Sequence, residues 1–420
     1  MRSPRGRGRM ADSVSGLNVF VRDRVCGRLG LDERRRFVFA YAPGWLREGG
    51  FPLSLSLPLR PEPYADDEAR PFFANLLPEG ELRPLIARRF GVSPENSYAL
   101  LEKIGGDCAG AVSLLPHSER PLERSGYREL DEEGLSRVLE ELPRRPFLAG
   151  EAGVRLSLAG AQSKLPVYVE EERVFIATGN RPSTHILKPP IPGFAGTVEN
   201  EAFCMALARG LGLPAAEAVI RKGRDTVLVV TRYDREREED GRVLRVHQED
   251  FCQALGVLPE QKYESEGGPS LEDCFALLER ASVRPAADRQ ALLGWVVFNA
   301  LAGNADGHAK NLSLMLAKPG PRLAPFYDLL STAAYPELSS RLAMRIGGED
   351  RPEWVQPRHW DRLADAAGLK RRYVQGRVRD MASRIVPLAE RLARGFAETE
   401  EARETVDGIV EGIRKRAGRM

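Results

Sequence analysis

The sequence has little cysteine and histidine and almost no net charge. Its 420 residues include five cysteines and five histidines, and 62 basic residues nearly balance 60 acidic ones, which leaves a formal charge of +2. The cysteines are scattered and form no Cys-x-x-Cys pair, which disfavours a disulfide framework or a zinc site. The balanced charge gives no support to direct binding of nucleic acid.

Long apolar runs are also absent. The longest candidate, residues 291–303, is shorter than the roughly 18–20 residues that a membrane-spanning helix needs. The first ten residues are rich in Arg and Gly, and no apolar segment follows them, so they do not read as a secretory signal. We expect this start to be disordered, with Met10 as an alternative first residue, and the protein to be cytoplasmic with no membrane partner.

The hydrophobic pattern predicts an α+β protein. Apolar residues make up 42% and charged residues 29%, as in ordinary globular proteins. Apolar and polar positions alternate in residues 17–60, including 51–57, as in strands, and residues 67–104 change to a helical pattern. Residues 116–150 are rich in Pro, Glu and Arg, which predicts a domain boundary or a mobile connection.

The rest of the chain has a β-rich part followed by a helical part. After Asp234 the pattern is mostly helical to the end. Before it, we expect one helix at about 199–210 and strands at 154–169, around Phe175, at 186–188 and at 226–233. We therefore predict a two-lobed fold with an added N-terminal α+β subdomain, divided as residues 11–115, 116–150, 151–233 and 234–420.

The segment that carries most chemical information is Gly303–Asn311, directly after an apolar helix. Phosphoryl transfer needs a carboxylate that orients the acceptor hydroxyl and receives its proton, and an Asn and a second carboxylate that hold Mg²⁺. Asp306, Asn311 and the downstream Asp328 fit these roles, and Asp306 and Asn311 have the Asp-x₄-Asn spacing of a kinase catalytic loop. Taken alone, this segment is more typical of a polar turn after a buried helix.

The upstream half supplies residues suited to phosphate binding. The segment Arg155–Lys164 contains small residues that let backbone N–H groups approach phosphate oxygens, with Lys164 as a nearby cation. Lys188 ends a short strand pattern, and Glu201 in the following helix is a candidate partner for it. The alternatives are an ordinary hairpin turn, a solvated lysine and a glutamate that favours the helix dipole.

Together these segments resemble the HipA-type toxin serine/threonine kinases of bacterial toxin–antitoxin pairs. The resemblance extends over nearly the whole chain after Met10 and lies in six segments in the expected order, namely residues 53–58, 72–80, 157–164, 186–188, 306–311 and 327–328. It implies a two-lobed fold related to protein kinases, with ATP and Mg²⁺ as cofactors, Asp306 as the catalytic base and Ser157 as an autophosphorylated serine.

The same resemblance implies a set of nucleotide-binding residues. Ser163 and Thr231 depart from the residues expected there, a glutamate and an acidic hinge residue. The set comprises the phosphate loop Ala159, Gly160, Ala161, Gln162, Ser163 and Lys164; Lys188; the hinge Thr231, Arg232 and Tyr233 beside adenine; and His308, Ala309, Lys310, Asn311, Tyr327 and Asp328, of which Asn311 and Asp328 would bind the metal.

The implied partners are a protein substrate and a helix-turn-helix antitoxin of the HipB type, through which any DNA contact would be indirect. The best-known target in this family is an aminoacyl-tRNA synthetase. Two other functions remain open on the sequence alone: a kinase that modifies small molecules, and a catalytically silent co-repressor that binds a DNA-binding partner.

Overall fold

The computed structural model of the chain describes residues 16–119, 126–396 and 399–420. The expectation for the first ten residues, and residues 11–15 of the predicted N-terminal subdomain, lie outside the described residues. The limits of the four predicted segments stay a prediction.

An antiparallel sheet and four helices form the first part of the chain. The strand order is β3-β2-β1-β4. The elements are β1 (Leu17–Val21), β2 (Arg24–Leu31), β3 (Phe37–Tyr41), β4 (Val112–Pro116), α1 (Pro43–Arg47), α2 (Asp66–Ala74), α3 (Leu82–Phe90) and α4 (Ser97–Ile104).

The strand predicted at residues 51–57 is wrong, because the segment forms only an isolated bridge between Ser54 and Leu57. Pro52 lies within the segment and Pro58 follows it directly, and proline cannot donate a ladder hydrogen bond. The alternation instead reflects burial of Leu53 and Leu57, while Ser54 Oγ donates a hydrogen bond to a carboxylate of the C-terminal part, that of Glu249.

A second antiparallel sheet of six strands follows, in the order β5-β7-β6-β8-β10-β9. Its elements and the two helices beside it are β5 (Gly126–Leu130), β6 (Leu165–Glu170), β7 (Arg173–Thr178), β8 (His185–Lys188), β9 (Ala218–Lys222), β10 (Thr226–Thr231), α5 (Glu132–Glu141) and α6 (Thr197–Gly210). The predicted strand at 154–169 begins only at Leu165, since the preceding residues form an irregular loop with Gly160 at φ +106°.

The segment 116–150 is not a mobile connection where the structure describes it. Residues 126–130 form strand β5, which pairs with β7 at the sheet edge, and residues 132–141 form helix α5, whose N-cap Asp131 accepts a hydrogen bond from Gly134 N–H. Pro, Glu and Arg are frequent here because both elements lie at the surface. Residues 120–125 lie outside the described residues.

The C-terminal part is helical, with two small sheets that the sequence pattern did not predict. The helices are α7 (Phe251–Leu255), α8 (Leu271–Ala281), α9 (Pro285–Ala302), α10 (Pro357–Ala366), α11 (Arg371–Ala393) and α12 (Glu400–Ala417), and the strands are β11 (Arg235–Arg237), β12 (Val243–Arg245), β13 (Gln248–Asp250), β14 (Ser313–Met315) and β15 (Arg322–Leu323). Strands β11 and β12 form one sheet, and strands β13, β14 and β15 form the other. These strands have two or three residues each, too few for an alternating pattern to be visible. None of the helices in the described ranges is long and apolar enough to cross a membrane.

Two large hydrophobic clusters hold these parts together. The first combines the N-terminal sheet with the inner face of the six-stranded sheet, and includes Phe39, Phe72 and Val229. The second joins helix α6 to the C-terminal helices through residues such as Phe203 and Trp295. The cleft between the two clusters is the place where side chains from all parts of the chain meet.

A buried ionic network links the N-terminal part of the chain to the part that contains the six-stranded sheet and to the C-terminal part. The carboxylate of Asp107, just after α4, lies 2.9 Å from Arg235, 3.0 Å from Arg245 and 3.4 Å from Arg232, and it accepts a hydrogen bond from Ser183 Oγ over 2.7 Å. Burial alone would raise the pKa of Asp107, but the three guanidinium groups outweigh it and hold that pKa well below the usual range.

Candidate active site

The segment that carries Asp306 is shaped by the end of helix α9. The helix stops at Gly303, which has φ +77° and donates its N–H to Asn299 O over 2.9 Å, as left-handed glycine caps do. Asn304 Oδ1 then accepts a hydrogen bond from the N–H of Asp306 over 3.1 Å. The result is a fixed turn that directs the Asp306 side chain toward solvent. We name residues 303–311 the catalytic loop after the role predicted for them from the sequence.

Asp306 is exposed at the cleft and has one hydrogen-bonding side chain beside it. The Tyr263 hydroxyl donates a hydrogen bond to Asp306 Oδ1 over 2.8 Å. Desolvation by the cleft walls raises the pKa of Asp306, while the Tyr263 hydrogen bond and the nearby Lys262 lower it; the net shift is upward. A carboxylate with a raised pKa is suited to accept a proton from a hydroxyl group.

Lys188 joins the six-stranded sheet to the C-terminal part through two carboxylates. Its Nζ donates hydrogen bonds to Glu201 Oε1 and to Asp328 Oδ1, each over 2.7 Å. Burial disfavours the charge on Lys188, but the two carboxylates outweigh it and raise its pKa. Strand β8 and helix α6 thus provide the ion pair that was predicted from sequence between Lys188 and Glu201, and Asp328 is a second partner.

Asp328 has an unusual backbone and a strongly acidic side chain. Its φ is +59°, in the left-handed region that non-glycine residues seldom adopt, and 39% of its side chain is exposed. Burial would raise the pKa of Asp328, but Lys188 and Lys164 outweigh it and hold that pKa well below the usual range. The group is therefore ionised at neutral pH.

Asn311 lies beside Asp328, as the two predicted metal ligands should. Its Nδ2 donates a hydrogen bond to Asp328 Oδ2 over 3.1 Å, and its Oδ1 accepts one from His308 N–H over 3.0 Å. No group of three or more His, Cys, Asp or Glu suited to a metal ion occurs in residues 16–119, 126–396 and 399–420. A carboxylate and an amide oxygen fit Mg²⁺, which takes its other ligands from phosphates and water.

The phosphate loop, residues 159–164, is folded back on itself in this structure. Lys164 Nζ donates a hydrogen bond to Ala159 O over 2.6 Å, and a Cβ at Gly160 would meet that Nζ at 2.6 Å. The Lys164 ammonium could move away from such a Cβ, but the φ of +106° at Gly160 would strain any residue with a side chain. Burial, together with the charge of Lys188, lowers the pKa of Lys164 to about 8. Ala161 is exposed, and Gln162 and Ser163 are half-buried.

Ser157 is buried rather than presented to the cleft. It is 0% exposed, and its hydroxyl donates a hydrogen bond to Leu76 O over 2.8 Å. Phosphorylation of this serine requires the loop to leave this position first, because a phosphoryl group does not fit in a fully buried site.

The predicted hinge residues have three different environments. Thr231 ends strand β10, and Tyr233 stacks on Tyr327 with ring centroids 5.8 Å apart. The Arg232 side chain is buried in the network around Asp107, and its N–H donates a hydrogen bond to Thr184 O over 3.0 Å, so neither donor is available to a nucleotide. The Tyr327 hydroxyl, in turn, donates a hydrogen bond to Lys310 O over 2.6 Å, which attaches it to the catalytic loop.

His308, Ala309 and Lys310 are buried parts of the catalytic loop. Burial and the charge of Lys262 lower the pKa of His308 to about 3, so its ring is neutral. The Lys310 Nζ lies 3.1 Å from Asp250 Oδ2. Lys310 is thus held by protein carboxylates.

Sequence reasoning missed four charged or polar residues at this site. Glu79, Asp250, Lys262 and Tyr263 contact the catalytic loop or its immediate partners. Glu79 lies inside one of the segments that carried the resemblance, but no spacing rule pairs a residue at 79 with residues at 262 and 310. Only the packing of the first part of the chain against the C-terminal part reveals the contact.

Two family models match this chain. The model described as the HipA N-terminal domain matches residues 17–115, and the model described as the HipA-like C-terminal domain matches residues 156–389. The second match alone covers more than half of the chain.

Two full-length relatives carry kinase names. Y4mE of Sinorhizobium fredii, whose name assigns it provisionally to the kinases, is 47% identical over 93% of this chain and 94% of that protein. The serine/threonine-protein kinase toxin HipA of Shewanella oneidensis is 32% identical over 91% of this chain and 88% of that protein.

A solved structure also matches over the full length. A chain in the Shewanella oneidensis MR-1 toxin–antitoxin complex of HipA, HipB and operator DNA has a TM-score of 0.84 and 31% identity, covering 96% of this chain and 97% of that chain. The predicted fold, two kinase-like lobes with an added N-terminal α+β subdomain, is confirmed by this likeness.

Proposed function

The chain belongs to the HipA family, and on that premise we propose that it is an ATP-dependent serine/threonine protein kinase, the toxin of a bacterial toxin–antitoxin pair. The observation that carries this proposal is the arrangement around Asp328. Lys188 binds one of its oxygens and Asn311 the other, with Glu201 behind the lysine and Asp306 on the same catalytic loop as Asn311. This set has the lysine, glutamate, asparagine and two aspartates that a kinase site uses.

Each residue has a chemical task in this proposal. Asp306 orients the serine or threonine hydroxyl of the acceptor and receives its proton, while Lys188 and Lys164 bind phosphate oxygens of ATP. Backbone N–H groups near Gly160 add further donors. Mg²⁺ held by Asp328 and Asn311 neutralises charge on the phosphates when it is bound.

Ser157 is proposed as the site of autophosphorylation. Its burial against Leu76 O means that only a displaced loop exposes the hydroxyl. A phosphate adds a charge of about −2, which neither the buried position nor the neighbouring ATP phosphates would tolerate. Autophosphorylation would therefore keep the phosphate loop outside and inactivate the enzyme.

The proposed partner is a small helix-turn-helix antitoxin of the HipB type. The matching chain from Shewanella oneidensis occurs in a complex with HipB and operator DNA. With a net charge of only +2, this chain would contact DNA mainly through such a partner. We further propose a cytoplasmic location and a protein acceptor among the translation enzymes, with an aminoacyl-tRNA synthetase as the first to test.

The test is expression in bacteria with and without a co-expressed helix-turn-helix protein of the HipB type, followed by phosphoproteomics. The wild type is expected to arrest growth, to phosphorylate a protein on Ser or Thr, and to be neutralised by the partner. The Asp306→Asn protein is expected neither to arrest growth nor to transfer phosphate. Equal arrest by Asp306→Asn would refute a kinase toxin. If the wild type and Asp306→Asn both bind the partner and neither arrests growth, the silent co-repressor is favoured. If the phosphate label is found on metabolites and not on protein, the small-molecule kinase is favoured.

A further inference from the structure

The six residues Asn75–Gly80, here named the bridging segment, follow helix α2 and lie between the phosphate loop and the catalytic loop. The segment belongs to the N-terminal part of the chain, which a minimal kinase fold does not contain. It nevertheless contacts both loops on which the proposed reaction depends.

Three contacts join the bridging segment to the phosphate loop and the residues before it. Leu76 O accepts the hydrogen bond from Ser157, and the N–H of Glu79 donates to Gly160 O over 3.2 Å. A Cβ at Gly80 would lie 3.0 Å from the Cβ of Ala161, so the two backbones pack closely there.

On its other side, the bridging segment binds two lysines of the catalytic region. Glu79 Oε2 accepts a hydrogen bond from Lys262 Nζ over 2.9 Å, and Glu79 Oε1 forms an ion pair with Lys310 Nζ at 3.3 Å. Lys310 Nζ also donates a hydrogen bond to the Asn75 side chain. The Glu79 and Lys310 side chains are only 12% and 4% exposed, so solvent screens this ion pair weakly.

Each of the two lysines is adjacent in sequence to a residue of the proposed active site. Lys310 is next to Asn311, a proposed Mg²⁺ ligand, and Lys262 is next to Tyr263, whose hydroxyl donates to Asp306. Burial would raise the pKa of Glu79, but the charges of Lys310 and Lys262 outweigh it and lower that pKa to about 2. The carboxylate is therefore charged throughout the neutral range.

We propose that Glu79 is a positioning residue that couples the phosphate loop to the catalytic loop, so that the N-terminal subdomain forms part of the catalytic machinery. Its backbone fixes Gly160, and its carboxylate fixes the lysines beside Asn311 and Tyr263. The inference deepens the proposed kinase function and rests on it for its kinetic consequences. Its structural part, the coupling of the two loops, is independent of catalysis.

The test compares Glu79→Gln with Glu81→Gln, an exposed carboxylate two residues further on that loses the same charge. In Glu79→Gln the backbone contact to Gly160 remains but the two ion pairs are lost. We expect kcat per ATP-binding site to fall by about 10- to 100-fold, as for a small misplacement of reacting groups, while the KM for ATP changes by less than about threefold. Calorimetric titration with ATP counts the competent sites, so a misfolded fraction does not imitate this result.

Hydrogen exchange provides a readout that does not need turnover. Glu79→Gln should increase amide exchange in residues 304–311 as well as in residues 157–164, and Glu81→Gln should change neither. Lys262→Met removes one of the two ion pairs of Glu79, at a partly exposed position. It should also lower kcat, by a smaller factor than Glu79→Gln. This variant provides the test if Glu79→Gln does not fold.

The outcomes separate the inference from the function on which it rests. Wild-type kcat and wild-type exchange in Glu79→Gln, or a loss confined to KM for ATP, would overturn the positioning role. If the wild type transfers no phosphate but Glu79→Gln still loosens both loops, the proposed kinase function is lost and the coupling remains.

Discussion

The Tyr263 hydroxyl donates a hydrogen bond to Asp306 Oδ1 over 2.8 Å, and it is the one side-chain hydrogen bond found to that carboxylate within the described residues. It holds Asp306 in one rotamer and stabilises the ionised form, which opposes the upward shift of the Asp306 pKa caused by desolvation. A proton acceptor in this position depends on Tyr263 both for its direction and for its charge.

Tyr263→Phe is therefore expected to lower kcat by roughly 3- to 10-fold and to alter its pH dependence. Asp306 must be ionised to accept a proton, so activity is lost as the pH falls through its pKa. Because the hydrogen bond lowers that pKa, its removal should raise the pKa and move the acidic limb of the pH–kcat profile to higher pH. Tyr373→Phe, in helix α11, is the control and should leave the limb unchanged; an identical limb in both variants would contradict the role of Tyr263.

Asp306→Asn is expected to abolish phosphoryl transfer while leaving Mg²⁺-ATP affinity within about threefold of wild type, because the role proposed for Asp306 concerns the acceptor hydroxyl rather than the nucleotide. Asp328→Asn is expected to weaken Mg²⁺-ATP binding by at least about tenfold, because it removes the charged metal ligand and one partner of Lys188. Calorimetry with and without Mg²⁺ measures both. Equal loss of nucleotide binding in the two variants would show that this division of roles is wrong.

Two substitutions of Ser157 should distinguish the effect of losing its hydrogen bond from the effect of placing a charge at its buried position. Ser157→Asp places a charge at a fully buried site and removes the donor to Leu76 O, so we expect the loop to leave and ATP affinity to fall by about 10- to 100-fold. Ser157→Ala removes a single hydrogen bond worth about 1 kcal/mol and should retain most of the affinity. Mass spectrometry should find phosphate on Ser157 of the wild type after incubation with ATP and none on that peptide in the Asp306→Asn protein.

Asp107→Asn is expected to lower the free energy of unfolding by about 3–5 kcal/mol, because it leaves the buried Arg245 without its carboxylate and leaves Arg232 and Arg235 to share Asp234 alone. Urea denaturation measures the change. Glu48→Gln is the matched control: the Arg24–Glu48 pair is 50% and 64% exposed, and its loss should cost no more than about 1 kcal/mol. A change of less than about 1 kcal/mol at Asp107 would mean that the network is not a stabilising link.

The sequence predicted those parts of the site whose spacing is local. Asp306 and Asn311 lie on one loop, and their separation of five residues carries the information directly. Lys188 at the end of a strand, with Glu201 in the next helix, is a similar short-range pattern, and the structure places the two in contact. For Asp328 the resemblance was needed, because a single Tyr-Asp pair carries little information.

The missed residues are those whose partners are distant in the chain. Glu79 reaches Lys262 and Lys310 across more than 180 residues, so no local rule reveals the pairs. The irregular segments at 51–57 and 154–164 were misread for a related reason: their apolar positions are buried at particular points, while side-chain hydrogen bonds and a positive φ replace the ladder of a strand. An alternation of apolar and polar residues indicates which side chains are buried, but buried side chains also occur in segments that form no sheet.

The left-handed backbone at Asp328 has a consequence for the interpretation of related sequences. Among residues with a side chain, Asn and Asp adopt a φ near +59° most easily, and glycine adopts it without strain. A descendant that had lost its chemistry could therefore place Asn or Gly here and keep the turn, the helices and the partner surface unchanged. The fold would then be inherited without the activity, and the identity of this single side chain would be enough to mark such a copy as inactive.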